Sequence, residues 1–125
     1  FRYYNQAFQQ MLMDQITALC AEEPVPGCHT TVTFGASHEA IDLNEKSQVL
    51  LDMAQAIGAQ QGRELPYIRS GGAGDIAIAG QADVGVLDGL GMPGGKAHTA
   101  EEFAVIDLIP QQIELSAKLI QQLCS

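Results

Sequence analysis

The sequence predicts an α/β protein in which helices alternate with strands of a partly parallel sheet. Apolar residues recur at helical spacing in several segments, and short apolar or alternating runs stand between those segments. The chain has 125 residues, of which 46% are hydrophobic and 17% are charged. This length suits about one domain of ordinary globular composition.

The first elements predicted are β-α-β. Residues 1–4 have the composition of a strand end, and Asn5 can cap a helix that runs from residue 6 to about residue 22. Pro24, with the proline and glycine that follow it closely, ends this helix. Residues 29–34 alternate between apolar and polar side chains, which is typical of a half-buried strand.

The middle of the chain predicts a second helix and two short strands. Asn44 can cap the helix, and glycines at 58 and 62 mark its end. Its apolar stripe consists of Val49, Leu50, Met53, Ala54 and Ile57. Strands are predicted at 65–69 and 83–87, separated by a glycine loop and a short helix that starts near Ile76.

The last predicted element is a helix after Pro110, a residue that suits the first helical turn. Its apolar stripe consists of Ile113, Ala117, Ile120 and Cys124, with Leu119 and Leu123 beside it.

Charge and cysteine content indicate which partners and which cell compartment to expect. The net charge is −9 and only six residues are basic, so nucleic acid and anionic membranes are not expected partners. No apolar run approaches the roughly 18 residues that a membrane span requires. Three cysteines without a C-x-x-C pattern predict reduced thiols and a cytoplasmic protein, although a periplasmic or secreted location stays open.

The stretch "VLDGLGMPGGKAHTAEEF" (86–103) allows two kinds of site. Gly89, Gly91 and Gly94 fit the dinucleotide pattern G-x-G-x-x-G, but no apolar-periodic helix follows, and Pro93 removes an amide donor. The alternative is a metal site, because the imidazole of His98 is a zinc ligand type. From the residues alone, this stretch is equally well explained by a surface histidine beside a pair of solvent-exposed glutamates.

The loop "SGGAGD" (70–75) also has two interpretations. Its glycines can serve a tight strand-to-helix turn. Alternatively, its amides and Asp75 line a ligand pocket at the carboxyl end of a strand.

Taken together, "GGAGDIAIAG", "DVGVLDGLGMPGGKAHTAEEF" and "IDLIPQQIELSAKLIQQL" resemble the C-terminal end of the M20 family of zinc metallopeptidases. The resemblance is strongest to the carboxypeptidase G2-like, or glutamate carboxypeptidase, branch, with acetylornithine deacetylases as relatives. "FRYY", the helix after it and "TTVTFG" resemble the second half of the family's small lid or dimerisation domain. The chain also begins without methionine, inside a predicted strand, so we expect a C-terminal fragment of a longer protein.

The resemblance implies a fold and an activity. Residues 1–38 would be the β-α-β remnant of the lid domain, and residues 39–125 the C-terminal part of the zinc-exopeptidase catalytic domain. The family holds two zinc ions and hydrolyses an amide bond of a small peptide or N-acyl amino acid. A homodimer formed through the lid domain would be a further expectation.

The resemblance also assigns roles by position. His98 matches a metal ligand, and Thr99 and Glu102 match neighbours that support it. Arg2 matches a lid arginine that binds a substrate carboxylate, whereas a surface strand charge is the alternative. The substrate-side loop matches at Gly71, Gly72 and Asp75.

Departures from the family pattern limit the expected activity. The remaining metal ligands of the family, an H-x-D motif and a Glu-Glu pair, do not occur at matching positions, so no catalytic residue is expected within these 125 residues. Gly74 stands where relatives carry serine or threonine, and Phe34 where the glutamate carboxypeptidase branch carries arginine. We therefore expect the isolated chain to be inactive, and a non-catalytic M20-like binding or dimerisation protein is the alternative.

Overall fold

The structure is a computed structural model that describes residues 1–23, 25–35 and 38–125. Pro24 and Ser37, which the sequence placed at a helix end and at the start of a domain boundary, lie outside the described residues. The chain divides into two compact units. Unit 1 comprises Phe1–Leu43 and Ile68–Asp83, and unit 2 comprises Asn44–Tyr67 and Val84–Ser125. The predicted division into 1–38 and 39–125 concerns the family's domains and stays a prediction.

Unit 1 contains two helices, α1 (Gln6–Ala21) and the short α3 (Ile76–Ala79). Asn5 caps α1, since its side-chain oxygen accepts a hydrogen bond from the backbone N–H of Phe8 at 2.8 Å. The helix and its cap are therefore as predicted. However, α1 buries none of its residues, and Leu19 is 65% exposed. The predicted apolar stripe is thus largely accessible.

Unit 2 is built around two longer helices, α2 (Glu45–Gln60) and α4 (Ile109–Leu123), which pack against each other. Their buried contact consists of Ala54 and Ile57 from α2 and Leu115 and Leu119 from α4. Ile57 and Leu115 are completely buried. Full burial of one such side chain contributes about 1.5–3 kcal/mol, so this contact is the main hydrophobic core of unit 2.

The apolar stripe predicted on α4 is mostly exposed, and of the residues named for it Leu119 is buried. Ile113 and Ile120 are 65% and 62% exposed, whereas Gln112, Leu115 and Leu119 are buried. The two faces carry similar apolar side chains, so periodicity alone does not distinguish them. The contact with α2 decides the choice, because a buried position must fit the neighbouring helix.

The four predicted strands, at 1–4, 29–34, 65–69 and 83–87, do not belong to any β-ladder among the described residues. Burial still alternates in the second of them, where Val32 and Phe34 are half-buried and the threonines at 31 and 33 are exposed. The expected parallel pairing was therefore wrong for the described part of the chain, and the class that remains is mixed helix and strand.

In unit 2, helix side chains replace the missing ladder bonds. Ser47 Oγ accepts a hydrogen bond from the backbone N–H of Val86 at 3.0 Å. Gln55 Nε2 donates to the carbonyl of Leu65 at 2.8 Å. Buried backbone groups need a partner, and α2 supplies it here without a neighbouring strand.

No described helix is both long enough and apolar enough to cross a membrane. Among the described residues, the chain's sheet consists of two strands, β1 (Gly94–Gly95) and β2 (Phe103–Ala104), which pair antiparallel. This hairpin frames the loop that carries His98.

Candidate functional site

At the base of the hairpin, Gly94 permits a close backbone approach. Gly94 pairs with Ala104 and Gly95 with Phe103. A Cβ on Gly94 would collide with the carbonyl oxygen of Phe103, and one on Gly95 would lie 2.9 Å from the Phe103 ring. The pairing continues for one more bond, from the N–H of Val105 to the carbonyl of Pro93 at 2.8 Å. The glycines thus shape the loop that presents His98.

His98 lies in an uncommon backbone conformation in this loop. Its φ is 65°, and that of Lys96 is 56°. Residues other than glycine seldom adopt positive φ, and such positions often occur at functional sites. The His98 side chain is exposed, and the structure shows no hydrogen bond to its ring within the described part of the chain. The imidazole is therefore accessible to a ligand.

Neighbouring residues hold the loop in this shape. The backbone N–H of His98 donates to Glu102 Oε2 at 3.2 Å. Thr99 Oγ1 donates to the carbonyl of Lys96 at 2.7 Å, and the N–H of Glu102 donates to the carbonyl of Thr99 at 3.2 Å. Lys96 also forms an ion pair with Glu101. Thr99 and Glu102, predicted as supports of His98, thus contact the backbone around it.

The donor set does not by itself fit a catalytic zinc ion. Such an ion requires about three protein ligands of the histidine, cysteine or carboxylate type. Within 1–23, 25–35 and 38–125, no three such side chains are grouped closely enough to hold a metal. His98 therefore offers one nitrogen, and the present residues support no catalytic step through zinc.

The other predicted contacts, Arg2, Gly71, Gly72 and Asp75, lie in unit 1. Arg2 Nη1 approaches the carbonyl of Gly71 at 3.4 Å, which is long for a hydrogen bond. The N–H of Gly72 donates to Ser70 Oγ at 3.0 Å, and Asp75 precedes α3 without a side-chain capping bond. The structure thus brings Arg2 and Gly71 together. Whether any of these residues binds substrate stays a prediction.

The dinucleotide alternative lacks its helix. A phosphate-binding glycine pattern needs a strand before it and a helix N-terminus after it. Here residues 83–87 form no ladder, and Gly94 begins a β-strand rather than a helix. The glycine pattern therefore leads into the His98 hairpin and does not match a dinucleotide fold.

One group of residues in unit 2 was not found from the sequence. Arg63 Nη2 donates to Gln112 Oε1 at 3.0 Å, and both side chains line a cavity between α2 and α4. Neither residue stands in a recognisable motif. To find them, one would have had to know that position 112 of α4 is buried. A glutamine on a helix does not by itself indicate burial.

Comparison with known proteins gives one informative match. The chain is 27% identical over 124 residues to carboxypeptidase G2 from Pseudomonas sp. (strain RS-16). This alignment covers 98% of the chain but only 30% of the length of that carboxypeptidase. No family model matches the chain. No solved structure matches it significantly. The likeness to a carboxypeptidase is thus distant and extends along nearly the whole chain.

Proposed function

We propose that this chain forms part of an M20-type zinc amidohydrolase that cleaves an amide bond of a small peptide or N-acyl amino acid. The observation that carries the proposal is the alignment with carboxypeptidase G2 along 98% of the chain. Because the alignment spans 30% of that protein, the remaining catalytic residues would lie in a longer protein that contains this chain.

In this proposal, His98 supplies one ligand to a two-zinc centre. Zinc would polarise the scissile carbonyl and activate a water molecule. The accessible imidazole and the positive φ of His98 support this role. Thr99 and Glu102 would position His98 through the loop hydrogen bonds.

Substrate recognition would fall to unit 1. Arg2 carries a guanidinium, which can bind a substrate carboxylate through two parallel hydrogen bonds. It is exposed, and among the residues that the structure describes its hydrogen-bonding contact is the long one with Gly71, so its fork can accept such a ligand. Gly71, Gly72 and Asp75 would form the adjoining loop. A homodimer formed through residues 1–38 is part of the same proposal.

A non-catalytic relative is the second candidate, and Gly74 favours it. Relatives of the proposed family carry a hydroxyl side chain at the position of Gly74, and this chain cannot make that contact. Such a protein would bind a peptide or dimerise without cleaving a substrate.

The decisive experiment uses the complete protein that contains this chain, loaded with zinc. Release of amino acid from a panel of N-acyl amino acids and dipeptides is compared for the unmodified protein, His98→Ala and His29→Ala. His29 is a matched control, since it is an exposed histidine whose Nδ1 lies 2.7 Å from Glu23 Oε1, outside the His98 loop.

We expect His98→Ala to lower kcat/KM by at least about a hundredfold, because loss of a metal ligand exceeds the 10–100-fold effect of a supporting residue. His29→Ala should leave kcat/KM unchanged. Equal activity of His98→Ala and the unmodified protein would refute the assignment of His98. Absence of hydrolysis together with intact peptide binding would favour the non-catalytic candidate. The 125-residue chain alone should be inactive, and enzyme-like turnover by it would contradict the proposal.

A further inference from the structure

Helix α4 carries apolar side chains on two sides. The side towards α2 contains Leu115 and Leu119, which are buried in the core of unit 2. The second stripe, which we call the outer face of α4, consists of Ile113, Ala117, Ile120 and Cys124. All four are exposed, Ile113 to 65% and Ile120 to 62%. A helix that is apolar on several sides is typical of the interior of a larger protein.

The outer face of α4 has the composition of a packing surface. Its members follow one another at the spacings that place side chains on one side of a helix, and none of them is charged. Glu114 and Lys118, which stand beside the stripe, form an ion pair with each other at 2.7 Å. The small Ala117 between two isoleucines leaves a groove into which a neighbouring side chain can pack. This face is therefore suited to contact with an apolar protein surface.

Two extended segments of unit 2 also lack a neighbouring strand. Residues 65–67 and 84–87 belong to no β-ladder in the described part of the chain. Side chains of α2 and of its cap reach the carbonyls of Leu65 and Val84 and the N–H of Val86, and the remaining groups pair with no backbone of the described residues. Unpaired extended backbone is a template for another strand. These segments, like the outer face of α4, indicate that further polypeptide completes unit 2.

The occupant of the outer face is either a second copy of this chain or another part of the same protein. Each copy of the chain carries a net charge of −9, so the association of two copies is opposed by their charges. The match with carboxypeptidase G2 covers 30% of that protein, which leaves most of its length without a counterpart in these 125 residues. Both observations favour another part of the same protein.

We propose that the outer face of α4 packs against the part of the complete protein that lies outside these 125 residues. Ile113 and Ile120 contact an apolar surface of that part, and Ala117 lets it approach closely. The contact rests on the proposed function in one respect, that this chain belongs to a longer protein, and it requires neither zinc nor catalysis. In the 125-residue chain this face is in solvent, so substitutions on it are nearly neutral there and destabilising in the complete protein.

The test measures whether position 120 is covered in the complete protein. Ile120→Cys places a thiol on the outer face, and Gln121→Cys is the matched control, because the exposed Gln121 lies about 100° further around the helix. Both variants also carry Cys124→Ser, and alkylation by iodoacetamide is followed by mass spectrometry of the peptide that contains the thiol. We expect Ile120→Cys to react at least about tenfold more slowly than Gln121→Cys, because a packed thiol reacts only when the contact opens. Equal rates in the complete protein would overturn the proposal.

Photo-crosslinking identifies the occupant. The diazirine analogue of leucine replaces Ile120 in the complete protein, and it retains an aliphatic side chain, so this measurement remains decisive if Ile120→Cys fails to fold. We expect a cross-link within one molecule to a peptide outside these 125 residues. A cross-link between two molecules would assign the outer face to a second copy and overturn the proposal, as would the absence of any cross-link to a peptide outside these residues.

The outcome for α4 is separable from that for the hydrolase. A complete protein that protects position 120 but hydrolyses no substrate would refute the proposed activity and leave the contact of α4 standing. An active hydrolase in which position 120 reacts as fast as position 121 would refute the contact alone.

Discussion

The carboxylate of Glu102 accepts a hydrogen bond from the backbone N–H of His98 at 3.2 Å. This bond joins the two ends of the turn that holds His98 at a φ of 65°. A side chain that satisfies the amide of a residue in an uncommon conformation stabilises that conformation. Glu102 thus positions the histidine through its backbone.

Replacing Glu102 should therefore loosen the His98 turn. In Glu102→Ala, we expect the amide proton of His98 to exchange about fivefold faster, the factor that a net hydrogen bond of about 1 kcal/mol provides. Glu102→Gln keeps an oxygen acceptor and should retain most of the protection. Hydrogen exchange followed by NMR measures the effect. Glu64→Ala is the control, because Glu64 is an exposed glutamate outside this loop. Equal rates in Glu102→Ala and the unmodified chain would show that the bond does not hold the turn.

Close packing at the hairpin base predicts that Gly94→Ala is destabilising. The added methyl group would collide with the carbonyl of Phe103, and overpacking of this kind costs about 1–3 kcal/mol. Gly91→Ala is a matched control, because no atom of the described residues lies within 4 Å of a Cβ at Gly91. Urea denaturation should give a lower free energy of unfolding for Gly94→Ala than for Gly91→Ala. Identical values would mean that the β1–β2 pairing does not form in solution.

The buried face of α4 predicts unequal effects for two aliphatic residues of the same helix. Leu115 is completely buried in contact with α2, and Leu115→Ala should lower the free energy of unfolding by about 2–5 kcal/mol. Ile120 is 62% exposed, and Ile120→Ala should change it by no more than about 0.5 kcal/mol. Thermal or urea denaturation of both variants checks this. The reverse ranking would restore the face that periodicity predicted.

The N-cap of α2 has two separable functions. Asn44 Oδ1 accepts from the N–H of Ser47 at 2.7 Å, and Asn44 Nδ2 approaches the carbonyl of Val84 at 3.4 Å. Asn44→Ala removes both and should cost about 1 kcal/mol. Asn44→Asp keeps the cap acceptor and should retain most of the stability in urea denaturation. Equal losses in the two variants would assign the contribution to the Val84 contact instead of the cap.

Glu114 should titrate below its ordinary pKa of 4.5. Hydrogen bonds from Lys118 and then Gln61, followed by the charge of Lys118, lower the pKa of this carboxyl. Since the folded pKa is the lower one, the stabilising contribution is present above pH 4.5 and is lost as pH falls through the folded pKa.

Lys118→Met tests this assignment. The ammonium of Lys118 lies 2.7 Å from Glu114 Oε1, at the favourable i,i+4 spacing. Its removal should raise the pKa of Glu114 towards the ordinary value in a carbon-detected NMR titration. An unchanged titration curve would show that the pair is broken in solution.

Local features of this chain could be predicted without its fold. Asn5 and Asn44 cap the helices that follow them, and Gly62 closes α2, because these interactions involve residues within a few positions of one another. The start of α4, with Pro110 in its first turn, also follows from local geometry, since proline suits that position. The exposure of His98, which follows a glycine-rich loop, could also be predicted from the local sequence.

Strand pairing could not be predicted from such local sequence patterns. The segments at 65–69 and 83–87 have strand composition, but a ladder requires a neighbour that composition does not name. In the structure, Ser47 and Gln55 of α2 take the hydrogen bonds of Val86 and Leu65. The helix side chains that make these bonds are 39 and 10 positions away in sequence.

The sequence by itself thus determined the caps of α1 and α2 and the glycine that closes α2, while the metal role of His98 stays a prediction. Only the tertiary structure decided which face of α4 is buried and that Arg63 donates a hydrogen bond to Gln112 on that face. The physical reason is the separation along the chain of the residues that interact. The hydrogen bonds of a cap or a turn join residues only a few positions apart. A buried face or a buried charge depends on atoms that folding brings from distant parts of the chain.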